Sequence, residues 1–185
     1  MSNISMEVKK QERVAIFIDG SNFYHSTKRL QVVNKINFQK LINELVCERE
    51  LVKVFYYNAP LDISVNQEIY WKQQKFFDVL RKIPKMEVVI CKQRKVRKSS
   101  GKFEYEVKGD DTHLVSDFVG EAYENVYDIA IIVSGDEDFV SPIKRVRKLG
   151  KKIENAYFSS SSSFNLRNAC DKSVPINKML SKIID

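Results

Sequence analysis

Three cysteines, two histidines and no long apolar run close several classes to this 185-residue chain. Cys47, Cys91 and Cys170 are odd in number, widely spaced and without a CxxC pair. They make a poor disulfide framework and read as reduced, structural thiols. With only His25 and His113 present, the sequence does not support a His-rich zinc centre. No stretch approaches the roughly 20 apolar residues that span a bilayer. The opening MSNISMEVKKQER is polar and lacks the apolar core of a signal peptide. The expectation is a cytoplasmic protein with no membrane partner. Neither GxGxxG nor GxxxxGK(S/T) occurs, so the common phosphate-cradling loops are missing too, and no internal repeat is visible.

What is present suits one soluble domain. Hydrophobic residues make up 43% of the chain and charged residues 30%, with a net charge of +7. A basic surface can hold a polyanion, or it can serve solubility alone. Residues 1–12 read as a flexible lead-in and residues 13–185 as a single domain. Self-association as a homo-oligomer stays open.

The apolar run Arg13–Ile18 reads as a buried strand that stops in an Asp-Gly turn. Phe38, Leu41, Ile42, Leu45 and Val46 carry helical spacing. Leu51–Tyr57, rich in β-branched and aromatic residues, reads as a second strand. Residues 65–83 form a long helical pattern, with Ile69, Phe76, Phe77, Leu80 and Ile83 as its apolar side and Trp71 facing the core. Met86–Cys91 predicts a third strand. Residues 92–107 form a basic hairpin turning at Ser99-Ser100-Gly101. A helix over 111–124, a strand over Asp128–Ser134, a helix over Asp138–Leu149, a strand over Lys152–Phe158, a serine loop and a short closing helix over Ile176–Ile184 complete the chain. Strands alternating with helices imply a mainly parallel sheet covered on both faces, with its functional crevice at the carboxyl ends of the strands.

Acidic residues gather at those ends. The first strand runs into Asp19-Gly20-Ser21-Asn22, and the strand over 128–134 runs into Gly135-Asp136-Glu137-Asp138. Lys108-Gly109-Asp110-Asp111 opens a helix. Each has an ordinary reading as a turn or a helix cap. If the three segments share one sheet edge, their carboxylates stay ionised together only around a cation. Oxygen-only ligation suits Mg²⁺ or Mn²⁺, whose bound water can attack a phosphodiester.

The blocks IFIDGSNFY, KGDDTHLVSDF and DIAIIVSGDEDFVSPIKRVRKLGKKI resemble the three signature blocks of the NYN domain, a PIN-like family, with the LabA-like branch nearest in pattern. They occur in the family's order across roughly Arg13 to Leu180, and NLRNACD is similar to the family's closing helix. The resemblance implies a PIN-like three-layer α/β/α fold with a mainly parallel central sheet, here with an inserted basic β-hairpin. It also implies a Mg²⁺- or Mn²⁺-dependent endoribonuclease acting on RNA. By motif, Asp19, Asp111, Asp136 and Asp138 would be the catalytic metal ligands. Asn22 and Ser134 would support them, and Asp117 would be a more distal ligand. Asp117 would lie about 120° from Asp111 on a helix. The family more often has an apolar residue where this chain has Asp110, and motif register favours Asp111 over it.

Lys92, Arg94, Lys95, Arg97, Lys98, Lys102 and Lys108 would form an RNA clamp on the hairpin, or only a solvated face. Phe103 and Tyr105 would stack on bases or pack on the hairpin's own inner face. His25 and His113 would assist proton transfer or take a surface or packing role. A non-catalytic RNA-binding or regulatory module on the same fold is the second reading. A phosphatase is a weaker third, because the first strand lacks the second Asp of a DxD motif.

Overall fold

The computed structural model describes residues 11–97, 103–108 and 110–185, and side chains outside the stretch 92–110. In chain order the strands are β1 (Arg13–Asp19), β2 (Glu50–Asn58), β3 (Met86–Ile90), β4 (Lys92–Arg97), β5 (Phe103–Lys108), β6 (Ile129–Val133), β7 (Lys152–Tyr157) and β8 (Lys172–Pro175). The helices are α1 (Gly20–Arg29), α2 (Phe38–Val46), α3 (Gln67–Leu80), α4 (Asp110–Tyr123), α5 (Val140–Arg147), α6 (Phe164–Ala169) and α7 (Leu180–Ile183). Six strands pair in parallel in the order β3-β2-β1-β6-β7-β8, and β4 and β5 form a separate antiparallel hairpin.

A parallel sheet is buried on both faces, so its central strands must be apolar throughout. Val14–Ile18 and Ile129–Val133 meet that demand, and every residue in both runs is buried. Alternation then divides the side chains. Val14, Ile16, Ile18, Val54, Tyr56, Ile131 and Val133 pack with Phe23 of α1, five residues of α2, Phe77 and Leu80 of α3 and Ile183 of α7. Ala15, Phe17, Phe55, Tyr57, Ala130 and Ile132 pack with Leu114, Phe118 and Ala122 of α4, Ile143 and Val146 of α5 and Leu166 of α6. The result is the expected three-layer α/β/α fold with a mainly parallel sheet.

Three expectations are corrected and one strand is added. The segment after Asp19 is a helix, not a simple turn: Asp19 is its N-cap and accepts the Asn22 N–H at 2.9 Å. Its sequence hides this because Phe23 is its one large buried side chain. Ile69 (48% exposed) and Trp71 (51% exposed) face outward, so α3 buries only Phe77 and Leu80 fully. The helix expected from Asp138 begins as a 3-10 turn over Glu137–Phe139 and becomes α-helical at Val140. The edge strand β8 went unread because it has four residues and ends in proline.

Strand order places a topological switch between β1 and β6. From β1 the chain moves outward through β2 to β3 with α1, α2 and α3 on one face. From β6 it moves the other way through β7 to β8 with α5 and α6 on the opposite face. The connections therefore part in opposite directions just beyond the carboxyl ends of β1 and β6, which leaves a crevice there.

Candidate functional site

Two of the acidic segments flank this crevice. β1 and β6 pair in register from Val14↔Ile129 to Ile18↔Val133, so Asp19 lies beside Ser134. Asp19 is 6% exposed. Its Oδ2 accepts the Ser134 hydroxyl at 2.8 Å and its Oδ1 accepts the Asn22 N–H. The same Ser134 oxygen accepts the Asp136 N–H at 3.1 Å, and Asp136 Oδ1 accepts the Asp138 N–H at 3.0 Å. Asn22 Oδ1 accepts the Gly135 N–H at 3.1 Å. Asn22 and Ser134 thus tie the end of β1 to the turn that carries Asp136 and Asp138. Asp136 is half-buried and Asp138 exposed.

Two close approaches explain glycines at this edge. A Cβ on Gly20 would lie 2.5 Å from Tyr57 O, and one on Gly135 would lie 1.7 Å from Ser161 O. The serine loop is held against the site, since Ser163 donates its N–H to Gly135 O at 3.0 Å and Ser161 shares a hydrogen bond with Ser26 at 2.6 Å. Glu137 turns aside to accept from Ser163 Oγ and Asn165 Nδ2, which lower its pKa.

A further carboxylate, Asp117, approaches from α4. Tyr57, in register with Asp19, donates its hydroxyl to Asp117 Oδ2 at 3.0 Å. Burial, and then the Asp117 charge, push the Tyr57 phenol far above its ordinary pKa, so it remains a donor. Lower down, Lys53 pairs with Glu121 at 3.8 Å. Going up β2 from Lys53 to Tyr57 therefore means going back along α4 from Glu121 to Asp117. The helix runs antiparallel to the strands, and its first turn continues past the sheet edge. Asp111 lies about 9 Å further along the axis than Asp117 at 1.5 Å per residue. Asp111 is exposed. Asp117 is thus the α4 carboxylate tied to β2 opposite Asp19, while Asp111 lies in the first turn of the helix above it.

Among the described residues, no three His, Cys, Asp or Glu side chains are grouped so as to hold a metal ion. The Asp110 side chain, the side chains of Lys92, Arg94, Lys95, Arg97, Phe103, Tyr105 and Lys108, and Lys98 and Lys102 altogether, lie outside the described residues. The hairpin backbone pairs from Lys92↔Lys108 to Arg97↔Phe103. His25 and His113 are exposed, with His25 set edge-on to Tyr24 at 5.6 Å. Cys47, Cys91 and Cys170 form no disulfide among the described residues. No helix among the described residues is long and apolar enough to cross a membrane.

Two residues absent from the sequence reading support the site. Tyr57 holds Asp117, but its place in an aromatic strand disguised it. Asn155 is wholly buried in β7 and donates to Ile132 O at 3.1 Å and Ser134 O at 2.9 Å. An asparagine in alternation with the core residue Ile153 was the available signal.

Comparison with known proteins agrees with this geometry. A solved structure of a protein of unknown function from Vibrio parahaemolyticus shares the fold, with a TM-score of 0.69 at 23% identity over 92% of this chain and 96% of that one. No curated protein matches the chain significantly. The NYN domain matches residues 13–177, nearly the whole length. With its parallel α/β/α sheet and acidic β1–β6 edge, the chain belongs to the NYN domain family of the PIN-like nuclease superfamily.

Proposed function

We propose that this chain, acting in the cytoplasm as one NYN unit over residues 13–185, is a divalent-metal-dependent endoribonuclease. The observation that carries the reading is the Ser134 hydroxyl, which joins buried Asp19 to the turn of Asp136 and Asp138 at the topological switch point. A structural turn needs no such link to a neighbouring strand's buried carboxylate. Orienting groups of this kind are what ligands for a metal require.

The donor set is all oxygen, which fits a hard ion, Mg²⁺ or Mn²⁺. Asp19, Asp136 and Asp138 would hold it, with Asp111 and Asp117 contributing from α4. When bound, the ion would supply a polarised water and neutralise charge developing on the phosphate. The chain's own part is to orient Asp19 through Asn22 and Ser134, and to attract a polyanion with a net charge of +7. The basic hairpin, through Lys92, Arg94, Lys95, Arg97, Lys98, Lys102 and Lys108, would grip the RNA backbone.

The test is cleavage of labelled single-stranded RNAs in Mn²⁺ by wild type and Asp136→Asn. Loss of cutting in the variant supports the reading, and equal absence of cutting in both across several RNAs defeats it. One observation favours the second reading, a non-catalytic RNA-binding or regulatory module: no metal-holding group of three is gathered among the described residues. RNA binding that is indifferent to Mn²⁺ and to Asp136→Asn, without cleavage, would establish that alternative.

A further inference from the structure

Beside the acidic edge lies a second surface, built on α1, α6 and the serine loop between them. α1 and α6 both begin at that edge, since Asp19 caps α1 and the Ser163 cap of α6 donates to Gly135 O. Each presents an exposed aromatic ring with a cation against it. Tyr24 is 45% exposed, with Lys28 Nζ 5.8 Å from its ring centre. Phe164 is 67% exposed, and the Arg167 guanidinium lies 5.9 Å from its centre and 5.1 Å from that of Tyr157. The serine loop bridges the two helices: Arg29 donates to Ser160 O at 3.3 Å, Ser26 meets Ser161, and Arg167 donates to the Ser162 side chain. Lys28, Arg29 and Arg167 form no ion pair among the described residues.

An exposed phenylalanine costs solubility and gives nothing to the core, and an unpaired guanidinium beside it gives no ion pair. Together they suit a ligand with flat apolar faces and a negative backbone. We propose that Tyr24 and Phe164 are stacking platforms for the bases of single-stranded RNA, with Lys28, Arg29 and Arg167 holding its phosphates as the strand passes along the serine loop to the acidic edge. This rests on the RNA reading above and adds strandedness and a path to it. A duplex covers its base faces with neighbouring pairs, so only an unpaired strand can use these rings.

The test is binding without hydrolysis. A labelled mixed-sequence RNA of about 12 nucleotides, single-stranded or annealed to its complement, is titrated in EDTA and followed by fluorescence anisotropy. Tyr24→Ala and Phe164→Ala should each weaken single-strand binding about tenfold and leave duplex binding unchanged. Tyr24→Phe should bind as wild type. Lys28→Ala/Arg29→Ala should make the salt dependence shallower by about 1.4 in log–log slope. Single-strand affinities within about twofold of wild type in both alanine variants, or equal losses on duplex, would overturn the proposal. If these losses appear but Mn²⁺ supports no cleavage, the nuclease reading falls and the strand path stands. If cleavage proceeds and the variants bind and cut as wild type, the path falls alone.

Discussion

Ser134 donates its hydroxyl to Asp19 Oδ2 at 2.8 Å across the seam between two parallel strands, and the same oxygen receives the Asp136 N–H. A single atom thus links one carboxylate to the entry of the turn that bears two more. Ser134→Ala should lower unfolding free energy in urea by about 1–2 kcal/mol, because it removes a buried hydrogen bond to a charged acceptor and the one that Ser134 Oγ accepts from the Asp136 N–H. If Asp19 holds a metal, Mn²⁺ affinity by calorimetry should fall about 10- to 100-fold. Unchanged stability and Mn²⁺ affinity would show that Asp19 is fixed by other means.

Asn155 offers a sharper probe of the same turn. Its amide nitrogen faces two carbonyl oxygens in a fully buried position. Asn155→Asp replaces that donor with a carboxylate aimed at like partial charge, at a cost of about 3 kcal/mol or more at neutral pH. The new group's folded pKa is raised above its unfolded value of about 4. The penalty is therefore smallest below that value and grows as pH rises. Urea melts at several pH values would show it, and a flat profile would mean that the site admits water.

The glycines separate packing from propensity. Gly135→Ala drives a Cβ into Ser161 O and should cost at least about 2 kcal/mol by displacing the serine loop. Gly120 sits within α4 with nothing near the place a Cβ would occupy, so Gly120→Ala should stabilise by about 0.5–1 kcal/mol. Thermal melts of the pair should move in opposite directions.

At the far edge, Arg13 grips Asp128 through its backbone N–H and its guanidinium, and the Asp128 carboxyl falls to about 2. Its folded pKa lies below its unfolded one. The stability it contributes is therefore present above pH ~4 and is lost as pH falls toward 2. The full shift would exceed 2 kcal/mol, but with Asp128 37% exposed, screening reduces it to about 1 kcal/mol. Asp128→Asn should lose that amount at pH 7 and show a shallower acid limb between pH ~4 and ~2.

How much of this was legible in the sequence follows from what each element buries. β1 and β6 are covered on both faces, so their apolar runs announced them, and the Asp-Gly and Ser-Gly-Asp that end them marked the acidic edge. α2 buries five residues at helical spacing and was equally plain. α1 buries one large side chain and takes its start from a cap, so its pattern was silent. Trp71 looked like core because tryptophan usually is, yet α3 needs only Phe77 and Leu80 to seal its face. The site was half readable. Strand ends in register bring Asp19 and Ser134 together, which a motif can imply. The height of α4 against β2 depends on the Tyr57–Asp117 contact, which no local spacing encodes.

The Asp19–Ser134 hydrogen bond also joins residues 115 positions apart, across the seam where the two wings of the sheet meet. Contacts that distant close late, because the loop entropy between them must be overcome first. During synthesis β1 waits for β6 with β2 already available on its other side. The acidic edge therefore comes into being only once residues 134–138 have followed β1 out of the ribosome. Until then Asp19 waits without the hydroxyl that orients it, a built-in delay between making the first strand and fixing its carboxylate.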